Sequence, residues 1–427
     1  MKLQTILAIV LSMSFLSSCT MGKESVKPRV LISTDIGGSD PDDNQSMVHL
    51  LMYSDLFNLE GLVSSPSYGG GSKEKILRMI DLYEKDFPKL QQHQPDLMVP
   101  DELRKLCKQG RKGEVSFRGI AESTEGSDWI IQCARRKSGQ PLWVLVWGGL
   151  DDVAQALHDA PDIESKIRVY WIGGPNKKWS VNSYAYIVEN LPNLWMIENN
   201  ASYRGFIGNN KKQDKFNAQY YDECIKGAGV LGFDFKNYYD GNVKMGDTPS
   251  LLYMMHGNPD DPSGESWGGS FEKMAYSPRT VFHRNTTLQD TVPVYSLIEF
   301  HFKGPVMDKE AETPCFIFCV DKQDWDGVYM GNGEYVVRYA PKAPDVLDYT
   351  ITSKIKELDG MTGSFVVSRT WPGKATFDAY PLGENWYTDK ADLKLFDVDG
   401  NWQGYKTVSQ WRNEVLGDWE VRWNWLK

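Results

Sequence analysis

A short acidic loop is the part of this chain whose residue types most directly suggest chemistry. Asp35 follows an apolar run over residues 29–34, and after a Gly-Gly turn come Asp40, Asp42 and Asp43. Carboxylates packed this closely repel one another unless a cation binds among them or one group stays protonated. An all-oxygen ligand set suits Ca²⁺ best and Mg²⁺ second. The alternative is ordinary loop chemistry, in which aspartates cap a helix beside a Gly-Gly turn.

Alternating strand-like and helix-like patterns surround this loop and would position it. Apolar runs over residues 29–34, 59–64, 142–147 and 167–172 predict strands, and the segments between them show helical spacing of apolar residues. This order predicts an α/β fold, with a mostly parallel sheet and helices on both faces. Ligands bind such sheets at the carboxyl ends of the strands, where this chain carries polar or glycine-rich segments.

The pattern changes after about residue 272. Short alternating runs separated by turn signals predict an antiparallel β-sandwich over residues 273–380. Tryptophans then recur at helical spacing over residues 408–425, as in a helix that packs on an α/β layer. We therefore expect an α/β domain over residues 28–272, with the β-sandwich inserted into it and residues 381–427 returning to it.

The first residues are typical of an export signal rather than of a folded domain. Lys2 precedes an apolar run over residues 6–16, and Leu-Ser-Ser-Cys then ends at Cys19. That ending resembles the bacterial lipobox, whose cysteine becomes lipidated; a plain secretory signal is the alternative. We expect a lipoprotein signal peptide over residues 1–19 and a polar tether over residues 20–27. A lipid anchor at Cys19 would hold the protein at the membrane of the bacterial cell envelope, in the periplasm or at the outer-membrane surface.

Composition narrows the classes of partner. The net charge is −10, from 47 basic and 57 acidic residues, and no basic patch is evident, so we expect no nucleic-acid partner. Aromatic residues make up 12% of the chain, and exposed aromatic rings can stack on sugars. The cysteines and histidines lack zinc-binding spacing, which argues against a zinc hydrolase.

Three segments, in this order, resemble segments of nucleoside hydrolases. Asp35 with the Asp42-Asp43 pair resembles the acidic signature that binds calcium and ribose in that family. Residues 144–154 resemble the segment whose threonine carbonyl binds the metal, and residues 246–253 resemble the late helix start that supplies the last carboxylate. The chain more closely resembles the bacterial nucleoside hydrolase-like family often labelled "cellulose-binding protein". The segments that carry this closer resemblance are Thr34-Asp35-Ile36, Pro41-Asp42-Asp43, Glu60-Gly61-Leu62, Glu125-Gly126-Ser127, Asp247-Thr248-Pro249-Ser250, Ser266-Trp267-Gly268-Gly269 and Trp411-Arg412.

The resemblance implies a role for each matched residue. Asp35, Asp43, Asp247 and the carbonyl oxygen of Trp147 would bind Ca²⁺. Asp35 would also be the catalytic general base, and Asp42 would hydrogen-bond a sugar hydroxyl next to the reacting carbon. Two further residues are expected to bind the sugar, namely Asn182 and Asn199.

Three departures from nucleoside hydrolases bear on the substrate. Ser33 replaces a carboxylate, Ser180 replaces the glutamate of the ribose-binding segment, and Gly246 replaces a histidine. We therefore expect a secreted Ca²⁺-dependent hydrolase of N- or O-glycosidic bonds, acting on a furanose-type sugar in extracellular glycans. A non-catalytic carbohydrate-binding lipoprotein is one alternative, and a periplasmic nucleoside hydrolase is another. No general acid is obvious, and the candidates are Glu198 and Glu265.

Overall fold

The computed structural model describes residues 26–65, 67–113, 115–207 and 219–427. The expected signal peptide, Cys19 and most of the expected tether lie outside these residues. Within the part of the chain that is described, no helix combines the length and the apolar character needed to cross a bilayer.

The first part of the chain alternates strands with helices. Its strands are β1 (Arg29–Thr34), β2 (Asn58–Ser64), β3 (Cys107–Gln109), β4 (Leu142–Val146), β5 (Ile167–Ile172), β6 (Trp195–Asn199) and β7 (Phe271–Lys273). Its helices are α1 (Asp42–Met52), α2 (Lys73–His93), α3 (Pro100–Leu106), α4 (Glu125–Ala134), α5 (Asp151–Asp159), α6 (Asn176–Trp179), α7 (Val181–Asn190), α8 (Arg204–Ile207), α9 (Gly229–Phe235) and α10 (Thr248–Met255).

The second part consists of short strands, and the last part returns to the first sheet. The strands of the second part are β8 (Tyr276–Ser277), β9 (Arg279–Phe282), β10 (Thr291–Pro293), β11 (Leu297–Lys303), β12 (Thr313–Val320), β13 (Gln323–Gly331), β14 (Glu334–Tyr339), β15 (Asp345–Ser353), β16 (Thr362–Ser368) and β17 (Tyr380–Pro381). The returning elements are β18 (Trp386–Asp389), α11 (Tyr405–Ser409) and α12 (Arg412–Asn424).

The first sheet has eight strands in the order β3-β2-β1-β4-β5-β6-β18-β7. Its neighbouring strands run parallel except for β18 and β7, which are antiparallel. The prediction of a mostly parallel sheet is therefore confirmed. The chain leaves this sheet after β7 and rejoins it at β18, and the intervening residues build the second sheet.

Side chains of the central strands pack on both faces of the first sheet. All five residues of β4 are buried. Leu142 and Val144 belong to a core that includes residues of α4, α5 and α7, whereas Trp143 and Leu145 belong to a core that includes residues of α1, α2 and α12. Burial on both faces explains why β4 reads as a continuous apolar run without polar alternation.

The second sheet also has eight strands, in the order β10-β16-β15-β12-β13-β14-β11-β9. The ring of Phe300 on β11 lies 4.9 Å from Phe318 on β12 and 5.6 Å from Phe365 on β16. Because β11 and β16 are far apart in the strand order, this contact means that the sheet curls around a shared aromatic core. The predicted antiparallel β domain is confirmed, with one curled sheet in place of two packed sheets and with parallel pairs at both edges.

The register of the first sheet brings the acidic loop to the carboxyl ends of the strands. Ser33 of β1 pairs with Val146 of β4, and the backbone N–H of Trp147 donates to the carbonyl oxygen of Ser33 at 2.7 Å. Asp35 and Trp147 therefore emerge at the same edge of the sheet. Helix α1 begins seven residues after Asp35, at Asp42, so both ends of the loop are fixed by regular structure.

A buried ion pair anchors α6 to the end of β6. Lys177 and Glu198 have fully buried side chains and form a salt bridge. The hydroxyl of Tyr184, the indole N–H of Trp386 and the amide of Asn200 also donate to the Glu198 carboxylate, at 3.0, 3.1 and 2.9 Å. Since every polar contact of this carboxylate is internal, the suggestion that Glu198 is a general acid was wrong.

We expect the substitution Lys177→Met to lower the free energy of unfolding by about 3–5 kcal/mol, because it leaves a buried carboxylate without its countercharge. Chemical denaturation followed by tryptophan fluorescence measures this loss. Lys73→Met is the matched control, since Lys73 forms a salt bridge with Glu125 at the surface and should cost little. Equal losses in the two variants would contradict a structural role for the buried pair.

Candidate functional site

Three carboxylates from two distant segments converge at the carboxyl edge of the first sheet. Asp42 and Asp43 open α1, and Asp247 is the N-cap residue of α10. One oxygen from each of these three residues lies within 4.8 Å of the others. The Oδ2 atom of Asp247 is buried and has no hydrogen-bond partner. An unsatisfied buried carboxylate oxygen beside two further carboxylates fits a cation site made of oxygen ligands.

Asp35 lies against the same cluster, next to Asp43. The two carboxyl groups lie close enough for each to change the pKa of the other, and the side chain of Ser67 lowers the pKa of Asp35. The hydroxyl of Thr34 also donates to Asp43. A Cβ atom at Gly148 would lie 2.6 Å from the Cβ of Asp35, so only glycine lets the end of β4 come this close. Asp35 therefore contacts the group of three carboxylates through Asp43.

Burial and mutual repulsion dominate the electrostatics of this cluster. Burial raises the pKa of Asp35 to about 7, with a further contribution from the charge of Asp42. Burial likewise raises the pKa of Asp42 to about 7, although Lys244 opposes this shift. The pKa values of Asp43 and Asp247 lie well above the usual value, because of burial first and then the neighbouring carboxylates. Without a cation, the cluster therefore retains protons near neutral pH.

Lys244 supplies the nearest positive charge. Its ammonium group pairs with Asp40 and lies 3.6 Å from the Oδ2 atom of Asp42. The side chain of Gln45 on α1 fixes this segment, since its Oε1 atom accepts the backbone N–H groups of Lys244 and Met245 at 2.8 and 3.1 Å. These hydrogen bonds tie the segment before Asp247 to the helix that carries Asp42 and Asp43.

Gly246 and Asp42 lie in close contact. A Cβ atom at Gly246 would come within 2.3 Å of the Oδ2 atom of Asp42. Any larger residue would push Asp42 away from the cluster. The glycine at the position of the nucleoside hydrolase histidine therefore has a steric reason in this chain.

Trp147 connects the cluster to α10 and to α6. Its carbonyl oxygen accepts a hydrogen bond from the Nδ2 atom of Asn176 at 3.0 Å, which leaves one lone pair for another partner. Its indole N–H donates to the hydroxyl of Ser250 at 2.8 Å, and that hydroxyl donates to the carbonyl oxygen of Asp247 at 2.7 Å. Trp147 thus positions the start of α10 in addition to its expected role as a carbonyl ligand.

A cavity of about 350 Å³ opens over the carboxylates. The rings of Tyr68 and Trp179 stack at its rim, 4.9 Å apart, and the guanidinium of Arg204 lies 3.9 Å from the ring of Trp402. The segment between β14 and β15 also reaches the rim. The described residues that line the cavity are Asp35, Ser39, Asp40, Asp42, Asp43, Ser67, Tyr68, Trp147, Ile172, Pro175, Asn176, Trp179, Tyr203, Arg204, Ile207, Lys244, Asp247, Lys342, Ala343 and Trp402.

The two asparagines expected to bind the sugar lie elsewhere. Asn199 is fully buried. Its Nδ2 atom donates to the hydroxyl of Tyr170, and its Oδ1 atom accepts from the hydroxyl of Ser202 and the backbone N–H of Tyr203. Asn182 is in α7, packed with its backbone against Gly119. Neither asparagine is among the described residues that line the cavity, so the expectation of direct sugar contacts needs correction. Helix packing positions Asn182, and hydrogen bonds within a turn position Asn199.

Glu265, the other proposed general acid, is also absent from the described lining of the cavity. It is exposed in the loop after α10, where its carbonyl oxygen lies against Gly257. The acidic groups that line the cavity therefore come from the loop before α1, the start of α1 and the start of α10.

Sequence reasoning missed several residues of the cavity. Asn176 was detectable in part, because it comes shortly after Gly173-Gly174, a predicted strand end. Lys244 precedes Asp247 closely enough to have been considered with it. Trp179, Arg204 and Trp402 gave no comparable signal, because their positions depend on how α6, α8 and the returning segment fold over the sheet.

Comparison with solved structures finds the same fold in a nucleoside hydrolase-related protein from Saccharophagus degradans, described as associated with carbohydrate metabolism. Its TM-score is 0.51 at 18% identity, over 81% of this chain and 100% of that protein. The inosine-uridine preferring nucleoside hydrolase of Bacillus anthracis gives a TM-score of 0.39 at 17% identity, over 59% of this chain and 87% of that enzyme. An inosine-guanosine nucleoside hydrolase gives a TM-score of 0.36 at 12% identity, over 56% of this chain and 80% of that enzyme.

Comparison with curated proteins gives no match. A protein-family model matches residues 29–271, which span the acidic loop, the Trp147 segment and Asp247. The resemblance inferred from these segments is therefore confirmed. Because the match covers more than half of the chain, this protein belongs to the family described as cellulose-binding Sde182, nucleoside hydrolase-like domain.

Proposed function

We propose that this protein is a Ca²⁺-dependent hydrolase that cleaves N- or O-glycosidic bonds of a furanose-type sugar in extracellular glycans. The observation that carries the proposal is the meeting of Asp42, Asp43 and Asp247, with a buried and unpartnered oxygen, beneath an aromatic-rimmed cavity. The export signal expected over residues 1–19 supports action outside the cytoplasm, with Cys19 as the site of lipid attachment.

The residues of the cluster fit a calcium ion. Asp42, Asp43 and Asp247 would hold it, with Asp35 and the carbonyl oxygen of Trp147 as the next available oxygens. All of these ligands are hard oxygens, which Ca²⁺ prefers. When bound, calcium would neutralise part of the carboxylate charge and lower the pKa of a coordinated water molecule.

The remaining roles in catalysis and binding are assigned to residues of the chain. Asp35 lines the cavity and its pKa is raised to about 7, which suits a residue that accepts a proton as the general base. Asp42 has a second oxygen through which it can bind a sugar hydroxyl. The surrounding negative charge favours the positive charge that develops on the sugar when a glycosidic bond breaks.

Aromatic rings at the rim supply surfaces for sugar rings. Tyr68 is 48% exposed and stacks on Trp179, and the ring of Trp402 packs beside Arg204. Flat aromatic faces next to a few polar groups are typical of sites that bind carbohydrate. The carbohydrate association of the family supports this assignment of the cavity.

A non-catalytic carbohydrate-binding protein is the second candidate, and one observation favours it. Among the described residues that line the cavity, no carboxylic acid lies outside the acidic loop, the start of α1 and Asp247. A glycosidase that uses a carboxylic general acid needs a further carboxyl group at the leaving group. A nucleoside hydrolase is less well supported, because the Ser180 hydroxyl donates to Asp151 at 3.0 Å and the residue at position 246 is glycine.

We expect Ca²⁺ to stabilise the protein by about 2.7 kcal/mol when its concentration is a hundred times Kd. Asp247→Asn should abolish this stabilisation and, without calcium at a pH high enough to ionise the cluster, should raise the free energy of unfolding, because it removes one charge from a repelling group. Differential scanning calorimetry with and without Ca²⁺ measures both effects. Asp40→Asn is the control, since Asp40 is exposed and pairs with Lys244.

Asp247→Asn is expected to remove the stabilisation by calcium but to stabilise the calcium-free protein. These opposite changes in stability distinguish a metal site from an ordinary acidic loop. In an ordinary loop, Asp247→Asn would leave the calcium response unchanged. Mg²⁺ in place of Ca²⁺ tests the choice of ion, and stronger stabilisation by Mg²⁺ would contradict the assignment to calcium.

We expect the metal-free protein to lose stability as the pH rises from about 4 to about 7. Burial raises the pKa of Asp35 and Asp42 from 3.8 to about 7 in the folded state, so the folded protein holds protons that the unfolded chain has released. The contribution of these protons to stability is complete below the pKa that the carboxyl groups have in the unfolded chain. It is lost as the pH rises through their pKa in the folded protein. Denaturation midpoints in chelator measure the slope, and saturating Ca²⁺ should flatten it. A slope that is the same with calcium and chelator would contradict this expectation.

We expect the purified protein to release reducing sugar from one or more members of a panel of arabinofuranose-containing glycans, other plant glycans and nucleosides. Asp35→Asn should lower kcat/KM by about 10²–10⁴-fold, as loss of a general base does, while Asp40→Asn should have little effect. Release from nucleosides alone would favour the nucleoside hydrolase. Retained glycan binding without any release would favour the binding protein and overturn the proposed hydrolysis.

A further inference from the structure

Two histidines and a glutamate meet on the curled β domain, outside the acidic cavity. One ligand atom each from His283, His301 and Glu334 lies within 4.8 Å of the others. The two imidazole rings are 4.7 Å apart between centroids. From this constellation we infer that the β domain carries a second metal site, which binds a divalent transition metal of the zinc class through these three side chains.

Sheet register brings the three residues together. Strand β11 lies between β9 and β14, and His283 comes directly after Phe282, the last residue of β9, which pairs with Phe300. His283 therefore lies beside His301 on the neighbouring strand. On the other side of β11, Glu334 pairs with Lys303, two residues beyond His301, and reaches His301 diagonally. Residues related in this way lie within reach of long side chains across adjacent strands.

Glu299 fixes the orientation of the His301 ring. The Nε2 atom of His301 is 3.5 Å from a carboxylate oxygen of Glu299, and its Nδ1 atom is 2.8 Å from a carboxylate oxygen of Glu334. Glu299 is buried and forms salt bridges with Arg279 and Arg338, so its position is set independently of a metal. A histidine ligand that offers one nitrogen to a metal and the other to a fixed carboxylate is the usual arrangement in protein metal sites.

The ligand types select the class of metal. Imidazole nitrogen suits Zn²⁺, Cu²⁺ and Ni²⁺, whereas Ca²⁺ requires a set of oxygen ligands. Two ligand atoms bound to a tetrahedral zinc ion are about 3.4 Å apart, given metal–ligand distances of about 2.0–2.1 Å. Only small side-chain rotations would therefore bring the three ligand atoms to the spacing of a zinc site. His283 is exposed, so these rotations are free of packing constraints on that side and water can complete the coordination.

Charged neighbours leave the site accessible to a cation. Lys303 is 4.0 Å from Glu334, but its side chain is 74% exposed and can turn toward solvent. Arg279 and Arg338 are engaged by Glu299, and Arg284 pairs with Asp290. None of the three ligands is among the described residues that line the acidic cavity. The two sites are therefore separable by mutation and by the choice of metal.

Zinc titration of the full chain in saturating Ca²⁺ tests the inference. We expect wild type to bind one Zn²⁺ by isothermal titration calorimetry, and His283→Ala and Glu334→Gln to weaken binding at least about tenfold. His256→Ala is the matched control, because His256 is an exposed histidine stacked on Trp267. Asp247→Asn, which alters only the acidic cluster, should leave this Zn²⁺ affinity unchanged.

Electron paramagnetic resonance of bound Cu²⁺ gives a second readout that does not depend on stability. We expect coupling to two imidazole nitrogens in wild type and to one in His283→Ala. Absence of Zn²⁺ binding, equal affinity in wild type and His283→Ala, or loss of binding only in Asp247→Asn would each overturn the inference.

Discussion

Repulsion among buried carboxylates is the constraint on which the arrangement of this protein depends. Four aspartates, Asp35, Asp42, Asp43 and Asp247, share a small volume where burial disfavours their charged forms. The fold compensates by directing the N-termini of α1 and α10 toward this volume, where partial positive charge favours anions. The hydroxyl of Thr34 donates to Asp43, and the Oε1 atom of Gln45 accepts a backbone N–H of the segment before Asp247, so both segments are fixed. Regular structure thus forces together groups that would separate in a flexible loop.

The parallel sheet and the acidic loop were predictable because each leaves a local signal. An apolar run buried on both faces, such as β4, has no polar alternation, and Asp35 follows directly after such a run. Asp247 was found through the family resemblance. Glu198 and Asn199 show where the reasoning fails. A strand end locates a residue at the edge of the sheet, but packing by Lys177 or Tyr170 decides whether its side chain reaches solvent.

Long-range register accounts for what the sequence could not reveal about the second sheet. Its strands were recognisable one by one, but the contact between Phe300 and Phe365 depends on curling of the whole sheet. The proximity of His283 and His301 likewise results from the parallel pairing of β9 with β11, so no sequence spacing signals it. A scattered distribution of histidines along a chain is therefore a weak argument against a metal site in a β domain.

The segment between β14 and β15 belongs to the curled sheet, yet Lys342 and Ala343 form one wall of the cavity. The carboxylates and the other described lining residues come from the α/β part of the chain. Substitutions in that connection can consequently reshape the cavity while the carboxylates stay untouched. The lining of the cavity is therefore divided between two parts of the chain that can vary separately.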